Sequence, residues 1–220
     1  MSFFMDRSKD QADRVAGPED APPGAVVSPD THRAERIPPG QSRTKKWPVL
    51  DSSGPPRLNP ADWRLRIFGL VEKEVEFDLR QFVELPRTRV FSDFHCVTRW
   101  SRLGNLWEGV STADLVRLAG GVKSEAKFVL AHGYDRGFTT NLPIDDFLAE
   151  DALVASLHDG EAISFDHGGP VRLIVPRLYA WKSAKWLSGL EFLPVDRAGF
   201  WEKNGYHMRG DPWVEERYGW

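Results

Sequence analysis

The sequence contains one cysteine, Cys96, in 220 residues. A single cysteine excludes an intrachain disulfide, a four-cysteine zinc site, an iron–sulfur cluster held by this chain alone, a CxxC redox pair and a CxxCH haem attachment. Three roles remain: a buried apolar residue, a catalytic thiolate, or one thiolate ligand to a metal that a cofactor carries. By composition alone, a lone cysteine in a globular protein favours the buried apolar role.

The sequence also lacks long hydrophobic runs and any excess of charge. No segment reaches the length of about 18 consecutive apolar residues that a membrane span requires. The 29 Lys and Arg residues nearly balance the 32 Asp and Glu residues, which removes the electrostatic argument for nucleic-acid binding or a polybasic membrane role. The opening residues, MSFFMDRSKDQADR, show neither the hydrophobic core of a signal peptide nor a twin-arginine pair. We therefore expect a cytoplasmic protein.

Proline is concentrated at the start of the chain. Residues 1–60 hold 10 of the 16 prolines but only three aromatic residues, Phe3, Phe4 and Trp47. Because proline fixes φ and disfavours helix at the preceding residue, this composition predicts an extended, partly mobile arm. Residues 1–35 are predicted to be a solvated tail, and the part around Trp47 could lie across the domain. Residues 61–220 are predicted to form a single packed domain.

The packed part of the chain shows short strands and short helices. Residues 63–69 alternate large and charged side chains and end at Gly69, as in a strand. Further strands are predicted at 89–97, 126–131, 162–165 and 170–175, and short helices are predicted to open at 77–79, 111–114 and 143–146. Because these elements show no βαβ regularity, the fold class is α+β with mixed sheets.

The histidine next to the cysteine cannot act as its catalytic base. His95 and Cys96 are adjacent on a predicted strand, and adjacent strand residues point to opposite faces. His132, His167 and His207 remain open as partners in a thiol-based mechanism. Sequence spacing alone does not choose among them.

A second region, residues 167–187, brings several cations close together in the sequence. It reads HGGPVRLIVPRLYAWKSAKWL. A loop with Lys182, Ser183 and Lys185 offers backbone N–H groups and ammonium donors to an anion, and Arg172 adds a guanidinium from the strand. The pattern indicates a phosphate site without a GxGxxG or P-loop motif. The alternative is a solvated strand edge followed by an amphipathic loop.

These two regions resemble one known family. FHCVTRWS at 94–101, with WEGV at 107–110, resembles the molybdenum-ligand segment of the sulfite oxidase family, and residues 167–187 resemble its pterin-phosphate segment. The resemblance spans residues 63–193. It implies a sulfite oxidase-like molybdopterin-binding fold. The ending, residues 199–220, resembles a short bacterial branch related to the catalytic subunit of the periplasmic methionine-sulfoxide reductase.

The resemblance implies a molybdenum–molybdopterin cofactor, with tungsten the less favoured metal. Cys96 would supply the one protein thiolate to the metal, and the dithiolene of the pterin would supply the other sulfur ligands. Arg99, close after the ligand, could recognise an oxyanion substrate or could pair with a surface carboxylate. The residues at positions where family members contact the pterin and its phosphate are His132, Gly133, His167, Arg172, Ser183, Ala184 (through its backbone) and Lys185.

The implied activity is two-electron oxygen-atom transfer to or from a small substrate, a sulfur or nitrogen oxide. A separate electron-transfer protein or carrier would exchange the electrons. The paired-arginine stretch of sulfite oxidases is absent, since the sequence there reads VTRWS, so sulfite is a doubtful substrate. Tyr179, Trp181 and Tyr206 could form pocket walls, although core packing suits each of them. Two alternatives stay open: a molybdopterin-binding or storage protein without turnover, and a cofactor-free thiol enzyme that uses Cys96.

Overall fold

The computed structural model describes residues 14–52 and 54–219, which contain twelve strands, four short α-helices and five 3-10 helices. The strands are Val26–Val27 (β1), Ser42–Arg43 (β2), Arg64–Gly69 (β3), Val75–Asp78 (β4), Thr88–His95 (β5), Trp100–Ser111 (β6), Phe128–Gly133 (β7), Thr139–Pro143 (β8), Leu153–His158 (β9), Glu161–Ala162 (β10), Arg172–Ile174 (β11) and Leu187–Leu193 (β12). The α-helices are Leu79–Val83 (α1), Thr112–Leu118 (α2), Ile144–Phe147 (α3) and Phe200–Lys203 (α4). The 3-10 helices are Pro18–Asp20, Pro29–His32, Pro60–Asp62, Phe165–His167 and Ala180–Lys182.

Two mixed sheets organise these elements. The first has the order β1-β5-β6-β9-β10, with β2 paired to β6 and β11 paired to β9. The second has the order β4-β3-β12-β7-β8, in which β12 runs parallel to β3 and antiparallel to β7. The α+β prediction is therefore confirmed. Across residues 14–52 and 54–219, no helix is long and apolar enough to cross a membrane.

Local sequence signals explain where several elements begin and end. The Asp78 carboxylate accepts from the Gln81 backbone N–H at 2.8 Å, while the Gln81 side chain accepts from the Asp78 N–H, which is a capping box that starts α1. The Ser111 hydroxyl caps α2 by accepting from the backbone N–H of Asp114 at 3.0 Å. Gly69 ends β3 with φ of +88°, a conformation that favours glycine.

The core joins the two sheets. On β3, Leu65 and Ile67 are fully buried and alternate with exposed arginines, as the period of a half-buried strand requires. They share one cluster of buried residues with Val154 of β9 and Leu173 of β11, which belong to the first sheet. The ends of strands from both sheets are thereby fixed relative to one another.

The strand predicted at 162–165 is shorter and begins one residue earlier. Regular pairing of β10 with β9 covers Glu161 and Ala162, and a 3-10 helix follows from Phe165. The carbonyl of Ser164 accepts from the N–H groups of His167 and Gly169, so it closes a turn instead of extending the sheet. The N–H of Ile163 still donates to the Ser156 carbonyl of β9 at 3.0 Å, so the apolar alternation is tied to β9 at 163, and the turn begins at Ser164.

The prediction of a solvated tail over residues 1–35 is wrong for the part that the structure describes. β1 pairs in parallel with β5, and Ser28 is fully buried, with its hydroxyl donating to the Asp151 carboxylate at 2.6 Å. Further along the arm, β2 pairs with β6. Residues 1–13 of the predicted mobile segment lie outside the described residues. The prolines mark an extended segment that packs against the domain through its backbone.

Lys182 also departs from the prediction, because it does not face an anion site. Its side chain is fully buried, and its ammonium lies 2.6 Å from the Glu202 carboxylate. It also donates to the backbone carbonyl and the side-chain oxygen of Asn141, at 2.9 and 2.8 Å. Lys182 therefore connects the segment after β11 to α4 and β8.

We expect Lys182→Met to destabilise the fold strongly. Removing one partner of a buried ion pair leaves the other charge uncompensated, which costs about 3–5 kcal/mol. The measurement is the free energy of unfolding in urea.

The matched control is Glu74→Ala, which breaks the exposed pair of Arg66 and Glu74. That pair is open to water, so its loss should leave the urea midpoint unchanged. Equal midpoints for Lys182→Met and the wild type would contradict the structural role assigned to Lys182.

Candidate active site

A cavity of about 200 Å³ lies where the end of β5, the segment after β11 and the N-terminal arm meet. Cys96, Arg172, Ser183, Ala184 and Lys185 all line it. The structure thus brings together five of the residues singled out in the sequence, from segments 76 residues or more apart. The remaining wall comes from the arm, from residues around the turn between β5 and β6, from Asp135 and from aromatic residues of the C-terminal half.

Cys96 stands at the start of the tight turn that joins β5 to β6. Its N–H donates to the carbonyl of Trp100 at 2.8 Å, and the N–H of Arg99 donates back to the Cys96 carbonyl at 3.0 Å. Arg99 closes the turn with φ of +73°, the left-handed position of a three-residue hairpin loop. Arg217 holds the turn from outside, because its guanidinium donates to the Val97 carbonyl at 2.7 Å and to the Pro39 carbonyl at 3.1 Å.

The Cys96 thiol is buried and faces the cavity. Thr98 donates to its sulfur at 3.2 Å, and burial raises the pKa of the thiol. Of the six histidines, all within the described residues, none lines the cavity. The cofactor-free thiol mechanism therefore has no histidine base at hand, whereas a metal ion would favour the thiolate.

Arg172 is a buried cation without a counter-ion. Its guanidinium donates to the carbonyls of His167 and Ser183, at 2.6 and 2.8 Å, while its Nε has no hydrogen-bond partner. Burial lowers the pKa of Arg172 to about 9, and no carboxylate among the described residues compensates for this loss of hydration. A buried charge of this kind is stabilised by an anion.

The segment Ser183–Lys185 adds donors next to this guanidinium. The Ser183 hydroxyl accepts from the N–H of Val175 at 3.0 Å, so its own proton stays available. The Lys185 ammonium donates to the Asp166 carbonyl at 2.7 Å and lies 3.9 Å from the Asp51 carboxylate. Burial, followed by the charge of Arg172, lowers the pKa of Lys185 to about 8.

Two predicted cofactor-binding residues support the cavity from behind. The His167 ring stacks on Trp47 of the arm with centroids 3.9 Å apart, and its Nε2 lies 2.9 Å from the Trp47 carbonyl. His167 therefore positions the arm and, through its own carbonyl, Arg172. Gly133 lies where β7 ends, and a Cβ there would stand 2.2 Å from a carboxylate oxygen of Asp135, which does line the cavity.

Two other predicted residues lie outside the cavity lining. His132 Nε2 is 2.9 Å from the Glu191 carboxylate, on the far side of its strand. The Arg99 side chain is exposed and donates to the Gly40 carbonyl at 3.3 Å. The His132 side chain lies outside the cavity because successive strand residues point to opposite faces of the sheet. The Arg99 side chain lies outside it because a residue in the left-handed conformation directs its side chain away from the inner face of the turn.

Two of the three aromatic residues named as possible pocket walls lie beside Cys96. Trp181 and Tyr206 line the cavity and lie 5.0 Å apart edge to face, and Tyr206 stacks on Trp201 at 4.9 Å. Tyr179, the third residue named as a possible wall, stacks behind Trp181 and does not line the cavity. Trp201, the stacking partner of Tyr206 in this wall, was not singled out, because no motif in the sequence marks it.

A thiol in reach of the cavity and an anion-binding cluster beside it define a site for a metal-carrying, phosphate-bearing cofactor. Over residues 14–52 and 54–219, no group of three or more His, Cys, Asp or Glu side chains could hold a metal ion. A metal at Cys96 therefore needs the remaining ligands from its cofactor. The soft thiolate suits a metal bound mainly by sulfur, and the unpaired Arg172 suits a phosphate.

Comparison with known proteins agrees with this class. The family described as "Oxidoreductase molybdopterin binding domain" matches residues 52–201. The oxidoreductase YuiH of Bacillus subtilis is 47% identical over 186 residues, which cover 84% of this chain and 93% of that protein. The chain belongs to the molybdopterin-binding oxidoreductases of the sulfite oxidase-like type.

Two longer proteins are also similar to this chain. The protein-methionine-sulfoxide reductase catalytic subunit MsrP of Campylobacter jejuni is 27% identical, over 66% of this chain and 54% of that protein. The structure of the sulfane dehydrogenase SoxCD from Paracoccus pantotrophus superposes with a TM-score of 0.58 and 27% identity, over 63% of this chain and 40% of that chain. The chain thus spans about half or less of the length of these two relatives.

We expect inorganic phosphate to stabilise the cofactor-free protein through Arg172. An anion that binds only the folded state stabilises it by an amount that grows with the logarithm of its concentration above Kd, so phosphate should raise the unfolding temperature of the wild type. Thermal unfolding at constant ionic strength measures the shift, and Arg172→Gln should abolish it.

Arg117→Gln is the matched control, because Arg117 is an exposed arginine on α2 that pairs with Asp114. General salt effects would shift both variants equally. The same phosphate shift in Arg172→Gln and in the control would contradict an anion site at Arg172.

Proposed function

We propose that this chain catalyses two-electron oxygen-atom transfer to or from a small sulfur or nitrogen oxide, using a molybdenum–molybdopterin cofactor. The observation that carries the proposal is the convergence of the Cys96 thiol and the uncompensated Arg172 guanidinium on one cavity. The cofactor, when bound, supplies a metal centre able to exchange two electrons and one oxygen atom. The family membership supports the same cofactor.

The protein's own residues bind and orient this group. Cys96, fixed by the hairpin turn and by Arg217, supplies one thiolate to the metal. Arg172, Ser183 and Lys185 bind the phosphate, and Ala184 contributes through its backbone. Because the turn and the 183–185 segment are both anchored by backbone hydrogen bonds, the metal end and the phosphate end of the cofactor are fixed independently.

The residues of the cavity wall next to Cys96 favour the binding of an uncharged substrate. Val97, Trp100, Trp181, Trp201 and Tyr206 surround this end, and none of them carries a charge at neutral pH. The two lining cations lie at the phosphate end. An apolar, aromatic wall binds a neutral sulfoxide or N-oxide better than sulfite or nitrate, which would lose hydration without gaining a cation.

Arg99 and His132 are left out of the proposed site because their side chains lie outside the cavity. The electron donor or acceptor is proposed to be a separate protein or carrier. Location in the cytoplasm stays a prediction, supported by a single cysteine that needs no oxidising compartment.

Metal and pterin analysis tests the proposed cofactor. Protein expressed in a host that makes the cofactor should contain close to one molybdenum and one pterin per chain. Lys185→Ala should lower pterin content severalfold, because one charge-assisted hydrogen bond to phosphate is lost. The control is Lys203→Ala, at an exposed lysine of α4. Wild-type protein without metal and pterin would overturn the proposal.

Turnover with a viologen or ferricyanide dye tests the reaction. Sulfoxides and N-oxides should be reduced, and Cys96→Ser should lose all oxygen-atom transfer. A storage protein would show pterin in both forms and turnover in neither. Rates with sulfite or nitrate above those with neutral oxides would contradict the proposed substrate class.

A further inference from the structure

Glu202 is a buried acid on α4 that contacts the wall of the cavity from behind. Its side chain is fully buried, and one of its oxygens, Oε1, accepts from three groups. These are the Trp181 indole N–H at 2.8 Å, the Lys182 ammonium at 2.6 Å and the Thr140 hydroxyl at 3.1 Å. Of these residues, Trp181 lines the cavity, on the side of Cys96. The acid therefore acts on the cavity through the indole.

Stability alone does not account for a buried pair such as Lys182 and Glu202. Taking two charges out of water costs about as much as their attraction returns, so an apolar pair of similar volume is often equally stable. Charge-assisted hydrogen bonds are, however, short and strong, so they fix the position of the group that donates. In this chain the indole N–H of Trp181 is such a donor.

The Trp181 ring is held on its other sides as well. It stacks on Tyr179, with the ring centroids 5.3 Å apart, and meets Tyr206 edge to face at 5.0 Å. Its benzene edge lies against Gly210, where a Cβ would approach Cζ2 to 2.7 Å and Cη2 to 2.8 Å. Gly210 also has φ of +84°, a conformation that favours glycine. The surrounding residues therefore define one position for this indole.

The chain segment behind the indole depends on the same ammonium group. The Lys182 ammonium donates to the Met208 carbonyl at 2.5 Å, two residues before Gly210. The Gly210 carbonyl in turn accepts from the Tyr179 N–H at 2.8 Å. The pair of Lys182 and Glu202 thus fixes both the N–H of the indole and the segment against its benzene edge.

The position of this ring decides what the Cys96 end of the cavity can bind. Contacts between aromatic rings depend on their geometry, and they add to affinity beyond the apolar area that they bury. A ring that is held in place therefore favours a ligand with a flat apolar group of its own. Dimethyl sulfoxide carries only methyl groups and would gain little, whereas methyl phenyl sulfoxide carries a ring that can pack against the indole.

We propose that Trp181 determines the substrate specificity of the site and that Glu202 is the residue that positions it. The substrate class is a sulfoxide whose sulfur carries a flat apolar group, such as a phenyl ring. This inference rests on the proposed function, since the sulfoxide must reach a loaded site next to Cys96.

Binding to the oxidised, molybdenum-loaded protein tests this role apart from turnover, because sulfoxide reduction needs electrons that the oxidised protein lacks. Calorimetry gives Kd for methyl phenyl sulfoxide and for dimethyl sulfoxide. The wild type should bind the phenyl compound at least about tenfold more tightly. Trp181→Phe should reduce this ratio at least about threefold, because the smaller ring has no N–H for Glu202 to hold.

Trp213→Phe is the matched control for Trp181→Phe. The Trp213 ring does not line the cavity, and its N–H has no hydrogen-bond partner among the described residues. The ratio of the two Kd values should therefore stay that of the wild type. An unchanged ratio in Trp181→Phe would remove Trp181 from substrate selection.

Two double variants test the positioning by Glu202. Lys182→Met with Glu202→Gln leaves a side-chain oxygen that accepts from Trp181, whereas Lys182→Met with Glu202→Leu leaves none. Both lack the buried charges, so both should fold. The variant with Gln should keep the Kd ratio of the wild type, and the variant with Leu should lose it as Trp181→Phe does.

The remaining outcomes separate this inference from the proposed function. Equal ratios in the two double variants would contradict a positioning role for Glu202. Failure of both to fold would contradict it too, since the pair would then serve the fold itself. Wild-type protein that binds both sulfoxides equally would overturn this inference alone. Loaded wild-type protein that binds neither would overturn the proposed substrate class, and this inference with it.

Discussion

The guanidinium of Arg172 donates to the carbonyls of His167 and Ser183, and through them it joins the two loops that close the cavity. It lies 5.6 Å from the ring of Phe94 on β5 and 5.5 Å from the ring of Trp47 on the arm. One buried cation therefore contacts the end of β5, the N-terminal arm and the segment after β11, three of the segments that build the site. The Arg172 guanidinium organises the cavity and has no counter-ion. An anion bound in the cavity would therefore stabilise it.

Much of this arrangement could be predicted from sequence, since local chemistry decides it. The caps at Asp78 and Ser111, the alternation on β3 and the position of Cys96 at a strand end all follow from neighbours in the chain. Lys182 could not be assigned, because its partners Glu202 and Asn141 are distant in sequence and only the fold reveals them. Motif resemblance found the thiol and the phosphate segment, but it could not say on which side of a strand His132 would lie.

The two ends of the cavity differ in chemistry. The end next to Arg172 and Lys185 is rich in fixed donors, and every part of it is held by backbone hydrogen bonds. The end next to Cys96 is formed by packed aromatic rings. These side chains can be substituted without disturbing the backbone hydrogen bonds at the other end. A family that keeps one cofactor and varies its substrates can be explained by this separation, because cofactor binding and substrate selection use different residues.

The contacts of Arg217 have a consequence for the order of folding. Its guanidinium joins the Cys96 turn to Pro39, a residue 178 positions earlier in the chain. Contacts of such sequence separation carry a large loop-closure entropy and form late. A newly made chain would therefore complete its two sheets before its opposite ends meet at the thiol. The cavity at the thiol is thus the part of the fold that closes last.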